Sequence, residues 1–92
     1  MAVTRPNGAL VFSWTPACPV GLLIVSFGGD AWIVQSDSNR ILPPVRYGQK
    51  PGGAQIETSG PVLLSGDICV VSVSRWYTGG FYRQAGVQTF TY

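Results

Sequence analysis

The stretch DICVVSVSRW, residues 67–76, indicates the fold class, because its residues alternate in the manner of a β-strand. Its apolar side chains recur at every second position, at Cys69, Val71 and Val73, with Ser72 and Ser74 on the other side. Successive side chains of a strand point to opposite faces of a sheet. We therefore expect a half-buried strand whose cysteine and valine side chains face a core.

Two further stretches, GALVFSWTP (8–16) and LLIVSF (22–27), alternate in the same way. The core residues predicted from them are Leu10, Phe12, Trp14, Leu23, Val25 and Phe27. Twelve glycines and seven prolines divide the chain into short pieces, and none of these pieces has the apolar spacing of an amphipathic helix. The predicted strands are Ala9–Trp14, Leu22–Phe27, Ala31–Gln35, Val45–Tyr47, Ala54–Thr58, Asp67–Arg75 and Val87–Tyr92.

The turn signals between these strands favour antiparallel pairing. In FGGD (27–30), Gly28 and Gly29 can supply the positive φ that tight hairpin turns require. Many short strands with frequent turns are typical of an antiparallel sandwich or barrel. Because 92 residues form one domain of modest core, we expect a single all-β domain, residues 1–92, with about seven strands.

Composition and charge exclude several classes of protein. Apolar residues make up 46% of the chain and charged residues 11%, against about 25% charged in an average domain, so the chain is not disordered. A net charge of +2 is too small for a nucleic-acid-binding surface. The longest apolar run, Val20–Val25, is too short to span a bilayer, and residues 1–10 lack the apolar segment of a signal peptide. We expect neither nucleic-acid binding nor membrane insertion.

Catalytic and metal chemistry find little support in the residue types. The chain has no histidine, and its two cysteines, Cys18 and Cys69, have no base to activate them and cannot form a cysteine-type zinc site. The four acidic residues are separated along the chain, and GQKPGG (48–53) lacks the order of a phosphate-binding loop. We therefore expect no enzyme activity, no metal and no cofactor.

Two segments together resemble the fibronectin type III-like family. FSWTP places Trp14 where that family has a buried tryptophan on its second strand, with Pro16 just after it. LLSGDICVVSV (63–73) is similar to the family's leucine–glycine corner and sixth strand, with Cys69 where a tyrosine is expected. The resemblance covers most of the chain from Ala9 onward. It implies an antiparallel immunoglobulin/fibronectin type III-like β-sandwich.

A third segment narrows the resemblance. VRYG (45–48) is similar to a strand in the non-catalytic N-terminal domain of purple acid phosphatases and related bacterial proteins, which also ends in a strand like that containing Phe90 and Thr91. The resemblance implies a supporting, non-catalytic role. It also places Cys18 and Cys69 at opposite ends of the sandwich, beyond the Cα separation of about 7 Å that a disulfide allows, so we expect two free thiols.

The aromatic stretch RWYTGGFYR (75–83) is the candidate binding site. It is expected to form a hairpin with positive φ at Gly79-Gly80, and the residues predicted to bind are Trp76, Tyr77, Tyr82, Arg75 and Arg83. Strand alternation places Trp76 on one face and Arg75 with Tyr77 on the other. At least two of the three binding aromatics are expected to be substantially exposed.

Three interpretations of this stretch remain open. Exposed aromatic and arginine side chains are enriched in protein interfaces, which predicts a protein partner or self-association. Trp76, Tyr77 and Tyr82 would alternatively form a platform on which sugar rings stack. In the third interpretation the rings only pair across a structural hairpin. The low charge of the chain and the predicted surface positions of Val11, Leu64 and Val70 favour a domain that a partner partly covers.

Overall fold

The computed structural model describes residues 1–5, 8–58, 60, 63–77 and 80–92. In this part of the chain the secondary structure consists of β-strands and turns. The strands, in chain order, are β1 (Ala2–Thr4), β2 (Val11–Ser13), β3 (Leu22–Phe27), β4 (Asp30–Gln35), β5 (Val45–Arg46), β6 (Gln55–Thr58), β7 (Ile68–Tyr77) and β8 (Phe81–Thr91). The predicted all-β fold is confirmed.

The strands form two antiparallel sheets. The smaller sheet has the order β1-β2-β5 and the larger has the order β6-β4-β3-β7-β8. In the larger sheet β3 lies between β4 and β7, with Val25 opposite both Trp32 and Val71. Side chains from both sheets meet in one core, as in a β-sandwich.

The core contains the residues that alternation predicts. Leu10, Phe12 and Trp14 are buried on the β2 side, and the other buried predicted residues are Leu23, Val25, Cys69, Val71 and Val73. Phe27 is half-buried and packs against this core. The Trp14 indole N–H donates a 2.7 Å hydrogen bond to the Cys18 carbonyl, so the ring is both buried and oriented.

A corner at residues 63–69 connects to β7 and is held by Asp67. The Leu64 N–H donates to the Asp67 carboxylate at 2.8 Å, the Asp67 N–H donates to the Leu64 carbonyl at 3.0 Å, and Gly66 has φ +97°. The Cys69 thiol donates over 3.8 Å to the Asp67 carbonyl. The Asp67 carboxylate therefore holds this corner, where Cys69 stands in place of the tyrosine that the resemblance led us to expect.

Most predicted strands differ from the observed ones by one or two residues at their ends, and larger departures occur at β1, at the FGGD turn and at the last hairpin. β1 was not predicted, and it pairs with β2 from Ala2 opposite Ser13 to Thr4 opposite Val11. In the FGGD hairpin only Gly28 has positive φ, the pattern of a type II′ turn. β7 continues to Tyr77 and β8 begins at Phe81, so the last hairpin is longer than expected.

The two cysteines are free thiols, as predicted. Cys18 is half-buried in the loop after β2, whereas Cys69 is buried at the start of β7. Cys18 lies shortly before Leu22, which begins β3 and pairs with Ser74. Ser74 is near the end of β7 and Cys69 is at its start, so the two cysteines lie toward opposite ends of the sandwich.

Candidate binding site at the β7–β8 hairpin

The hairpin of β7 and β8 extends past the rest of its sheet. The ladder between β3 and β7 ends where Leu22 pairs with Ser74. Beyond that point β7 pairs with β8 alone, from Arg75 opposite Arg83 to Tyr77 opposite Phe81. A register shift between Val73 and Ser74 marks the start of this two-stranded projection. The predicted binding residues all lie on it.

Asn39 continues the sheet where β3 stops. Its side-chain amide donates to the Trp76 carbonyl at 3.0 Å, and its side-chain oxygen accepts from the Trp76 N–H at 2.8 Å. Asn39 adopts φ +53°, a left-handed conformation that asparagine tolerates better than most residues. The Asn39 side-chain amide therefore makes the two hydrogen bonds that a neighbouring strand would make to Trp76, and it holds the base of the hairpin in place.

Arg75 provides a second anchor. Its guanidinium donates to the Pro19 carbonyl, and its side chain is half-buried. A backbone carbonyl is thus satisfied by a charge-assisted hydrogen bond at the base of the projection. Arg75 was predicted at the rim of a binding patch, and its contact to Pro19 gives it a structural role.

The aromatic side chains form two cross-strand pairs on opposite faces of the hairpin, as alternation predicts. Trp76 and Tyr82 pack with ring centroids 3.6 Å apart and planes at 31°. Both rings are half-buried, and Trp76 lies against Gly21, where an added Cβ would come within 2.7 Å of the indole. The expectation that at least two of Trp76, Tyr77 and Tyr82 stay substantially exposed is therefore wrong.

The second pair, Tyr77 and Phe81, faces solvent. Their centroids are 6.0 Å apart with planes at 15°, and the side chains are 42% and 54% exposed. The Arg83 guanidinium carbon lies 5.6 Å from the Tyr77 ring centroid, within the range of a cation–π contact. Phe81 was not among the predicted site residues, although its position opposite Tyr77 across a short turn was a signal for it.

The turn and the charges complete the site. The Gly80 N–H donates to the Tyr77 carbonyl at 3.2 Å, and Gly80 has the predicted positive φ, +81°. Gly79 lies outside the described residues. Arg75 and Arg83 are directly opposite each other, and the stretch from Arg75 to Arg83 contains no acidic residue. The projection is therefore a positively charged aromatic surface.

Elsewhere in the described residues, no group of three metal-ligating side chains comes together, and no helix is long and apolar enough to cross a membrane. A cleft between β5 and the following loop is lined by residues that include Val11, Pro44, Arg46 and Lys50. Burial raises the pKa of the Cys69 thiol, and the charge of Asp67 raises it further. A buried, protonated thiol is a poor nucleophile.

Comparison with known proteins gives no relative for this chain: no family model, no curated protein and no solved structure matches it. The fibronectin type III-like resemblance therefore remains an expectation that Trp14, Pro16 and the corner at residues 63–69 carry.

Proposed function

We propose that this protein is a non-catalytic β-sandwich module that binds another protein through the tip of its β7–β8 hairpin. The exposed, nearly parallel pair of Tyr77 and Phe81, with Arg83 beside Tyr77, carries the proposal. Aromatic and arginine side chains contribute a large part of the binding energy in protein interfaces. Trp76, Tyr82 and Arg75, also predicted to bind, act here by supporting the hairpin.

The anchoring of the hairpin supports this proposal. Asn39 and Arg75 fix its base through three hydrogen bonds to the backbone of Trp76 and Pro19. A ligand-binding loop that is already ordered loses less conformational entropy on binding, so more of the contact energy appears as affinity. The rigid base and the exposed tip are therefore the features expected of a recognition hairpin.

The chemistry of the tip indicates what kind of partner it fits. Tyr77 and Phe81 offer apolar contact area, and Arg83 offers a cation with no acidic residue near it in the hairpin sequence. A complementary protein surface has an apolar hollow with a carboxylate at its edge, because a guanidinium pairs with carboxylates in a bidentate geometry.

A carbohydrate-binding role is the second candidate, because Tyr77 and Phe81 are exposed aromatic rings on which a sugar ring could stack. The Gln84 amide is on the opposite face of the hairpin, because Gln84 pairs with Ser74 and alternates with Arg83. The side chain beside Tyr77 is the charged Arg83 guanidinium, which pairs with carboxylates. We therefore place protein before carbohydrate.

Selection of peptides from a random phage-displayed library tests the proposal. The immobilised protein should enrich peptides that combine apolar and acidic residues. Their binding should fall at least tenfold with Tyr77→Ala or Phe81→Ala and remain unchanged with Leu42→Ala, a matched change at an exposed side chain on another loop. Enriched peptides that bind all variants equally would contradict the proposal.

A parallel pull-down with insoluble cellulose, chitin and xylan separates the two candidates. Retention of the wild-type protein on one polysaccharide, with loss of retention in Tyr77→Ala, would replace the protein-contact proposal with carbohydrate binding. No retention on any of them, together with peptide enrichment, would support the protein partner.

A further inference from the structure

The outer face of the larger sheet, which points away from the core, carries no charged residue on β3, β4, β7 or β8. Up to the pair of Ser74 and Gln84, beyond which Trp76 and Tyr82 continue the face onto the hairpin, the register places fourteen positions of these four strands on it: Leu22, Ile24, Ser26, Ala31, Ile33, Gln35, Ile68, Val70, Ser72, Ser74, Gln84, Val87, Thr89 and Thr91. Half of them are aliphatic. A sheet face in contact with water normally carries polar and charged residues, so this composition calls for a covering surface.

The aliphatic side chains are arranged in rows across the strands. Ile33, Ile24, Ser72 and Val87 form one row, and Ala31, Ser26, Val70 and Thr89 form the next. Ile68 is 68% exposed and Val87 is 52% exposed, while Ile24 and Ile33 are partly covered by their neighbours. The result is an uncharged surface in which large aliphatic side chains stand beside small serine and alanine side chains.

We infer that this outer face is the contact surface of a homodimer, in which a second copy of this chain packs its own outer face against it. The inference is independent of the proposed function of the hairpin.

The absence of charge on these four strands is matched by a second copy, which presents the same uncharged face. A partner surface with lysine or glutamate opposite this face would bury an unpaired charge, which is strongly unfavourable. A second copy brings none. A two-fold axis near the centre of the face would also let Ile24 of one copy lie over the hollow at Ser72 of the other, so that large and small residues interleave as between packed sheets.

The area of the face is sufficient for a dimer. Strands about 4.8 Å apart with a rise of about 3.3 Å per residue give this face a flat area of roughly 400 Å². The side chains that stand on it expose more than that flat area. Two copies therefore bury about 1,000 Å² or more, which reaches the lower end of specific interfaces. We expect a dimer that dissociates on dilution.

Sedimentation velocity of the full chain, from low micromolar to near-millimolar concentration, tests the inference. The wild-type protein should shift from the mass of one chain to the mass of two. Val87→Lys and Ser72→Lys each place a charge on the face and should weaken association at least tenfold. Thr4→Lys adds the same charge at an exposed position of β1 and should leave association unchanged.

Circular dichroism and thermal melting of each variant check that the monomer remains folded. If Ser72→Lys disturbs the strand, Val87→Lys still tests the inference, because Val87 is exposed. A wild-type protein that stays monomeric throughout, or a dimer that both face variants leave intact, would overturn the inference. Dissociation by Tyr77→Ala with Phe81→Ala, but not by Val87→Lys, would also overturn it, because it would place self-association at the hairpin.

Discussion

The side chain of Asn39 hydrogen-bonds to both backbone polar groups of Trp76, a residue 37 positions later in the chain. The amide occupies the place of a strand residue beyond the start of β3, where Trp76 would otherwise expose its N–H and carbonyl at an open edge. This contact connects the loop after β4 to the base of the aromatic hairpin.

Replacing Asn39 should therefore loosen the hairpin. Asn39→Gly keeps the left-handed backbone conformation but removes both hydrogen bonds, and it should lower the free energy of unfolding by about 1–3 kcal/mol. Asn39→Ala should cost more, since alanine also strains the positive φ. Urea denaturation measures the unfolding free energy of both variants. Ser38→Ala, a change at the exposed neighbouring residue, is the control. Equal stability of Asn39→Gly and the wild-type protein would show that the two bonds contribute nothing.

The two aromatic pairs should respond differently to truncation. Trp76→Ala removes a ring that packs on Tyr82 and Gly21, and we expect a loss of about 2 kcal/mol or more in unfolding free energy. Tyr77→Ala and Phe81→Ala should each change stability by less than about 1 kcal/mol, because both rings are largely exposed. Thermal and urea unfolding measure the change in unfolding free energy of each variant. A larger destabilisation by Tyr77→Ala than by Trp76→Ala would show that the Tyr77 ring, and not the Trp76 ring, is the one that packs against the sheet.

Trp14 should be among the most sensitive positions of the core. Its ring is 4% exposed and its N–H bonds to the Cys18 carbonyl, so Trp14→Ala should cost about 3–5 kcal/mol. In a domain of this size such a loss removes a large part of the total stability. Leu42→Ala, a truncation of a side chain that is 56% exposed, is the matched control. If both variants unfold at the same urea midpoint, the ring does not support the core.

Stability should fall at alkaline pH because the buried Cys69 thiol and the half-buried Tyr47 hydroxyl hold their protons. Burial raises the pKa of Cys69 above its usual 9.0, with a further rise from Asp67, and burial and then Cys69 raise the pKa of Tyr47 above 10.0. The folded chain therefore retains protons that the unfolded chain releases, so the contribution of these two groups to stability is fully present below their unfolded pKa values and is lost as pH rises toward the folded values.

Urea midpoints measured from neutral pH to beyond pH 10 test this expectation. Cys69→Ala should flatten the decrease that begins near pH 9 and leave the later part that Tyr47 causes. The same slope in the wild-type protein and in Cys69→Ala would show that the thiol is not the group responsible.

Local pattern was enough to predict the part of the core that β2, β3 and β7 supply, but not the buried Trp32 and Val34 of β4. Val71 and Val73 are buried, and the alternation that buries them also separates Trp76 from Tyr77 on the hairpin. β1 was missed because Ala2–Thr4 is three residues long and has no buried residue to reveal an alternation.

Exposure at the candidate site could not be predicted in the same way. The Trp76 ring packs against Gly21, and the Trp76 backbone hydrogen-bonds to Asn39. The Arg75 guanidinium donates to the Pro19 carbonyl. All three contact residues lie far from the hairpin in the sequence. Alternation gives the direction of a side chain but not what packs over it. Of the three aromatics expected to bind, Tyr77 is exposed, whereas Trp76 and Tyr82 are half-buried, and the exposed Phe81 was not among the expected residues.

The anchoring contacts lie at the base of the hairpin, at Arg75 and Trp76, and the exposed pair lies beyond them at Tyr77 and Phe81. The residues that specify the fold are thus separate from those at the tip. Evolution or a protein engineer can exchange Tyr77 and Phe81 for other residues without removing the anchoring contacts at Arg75 and Trp76, as in a display scaffold whose variable loop is held by a constant frame. Sequences that share this frame should diverge most at the tip of the hairpin.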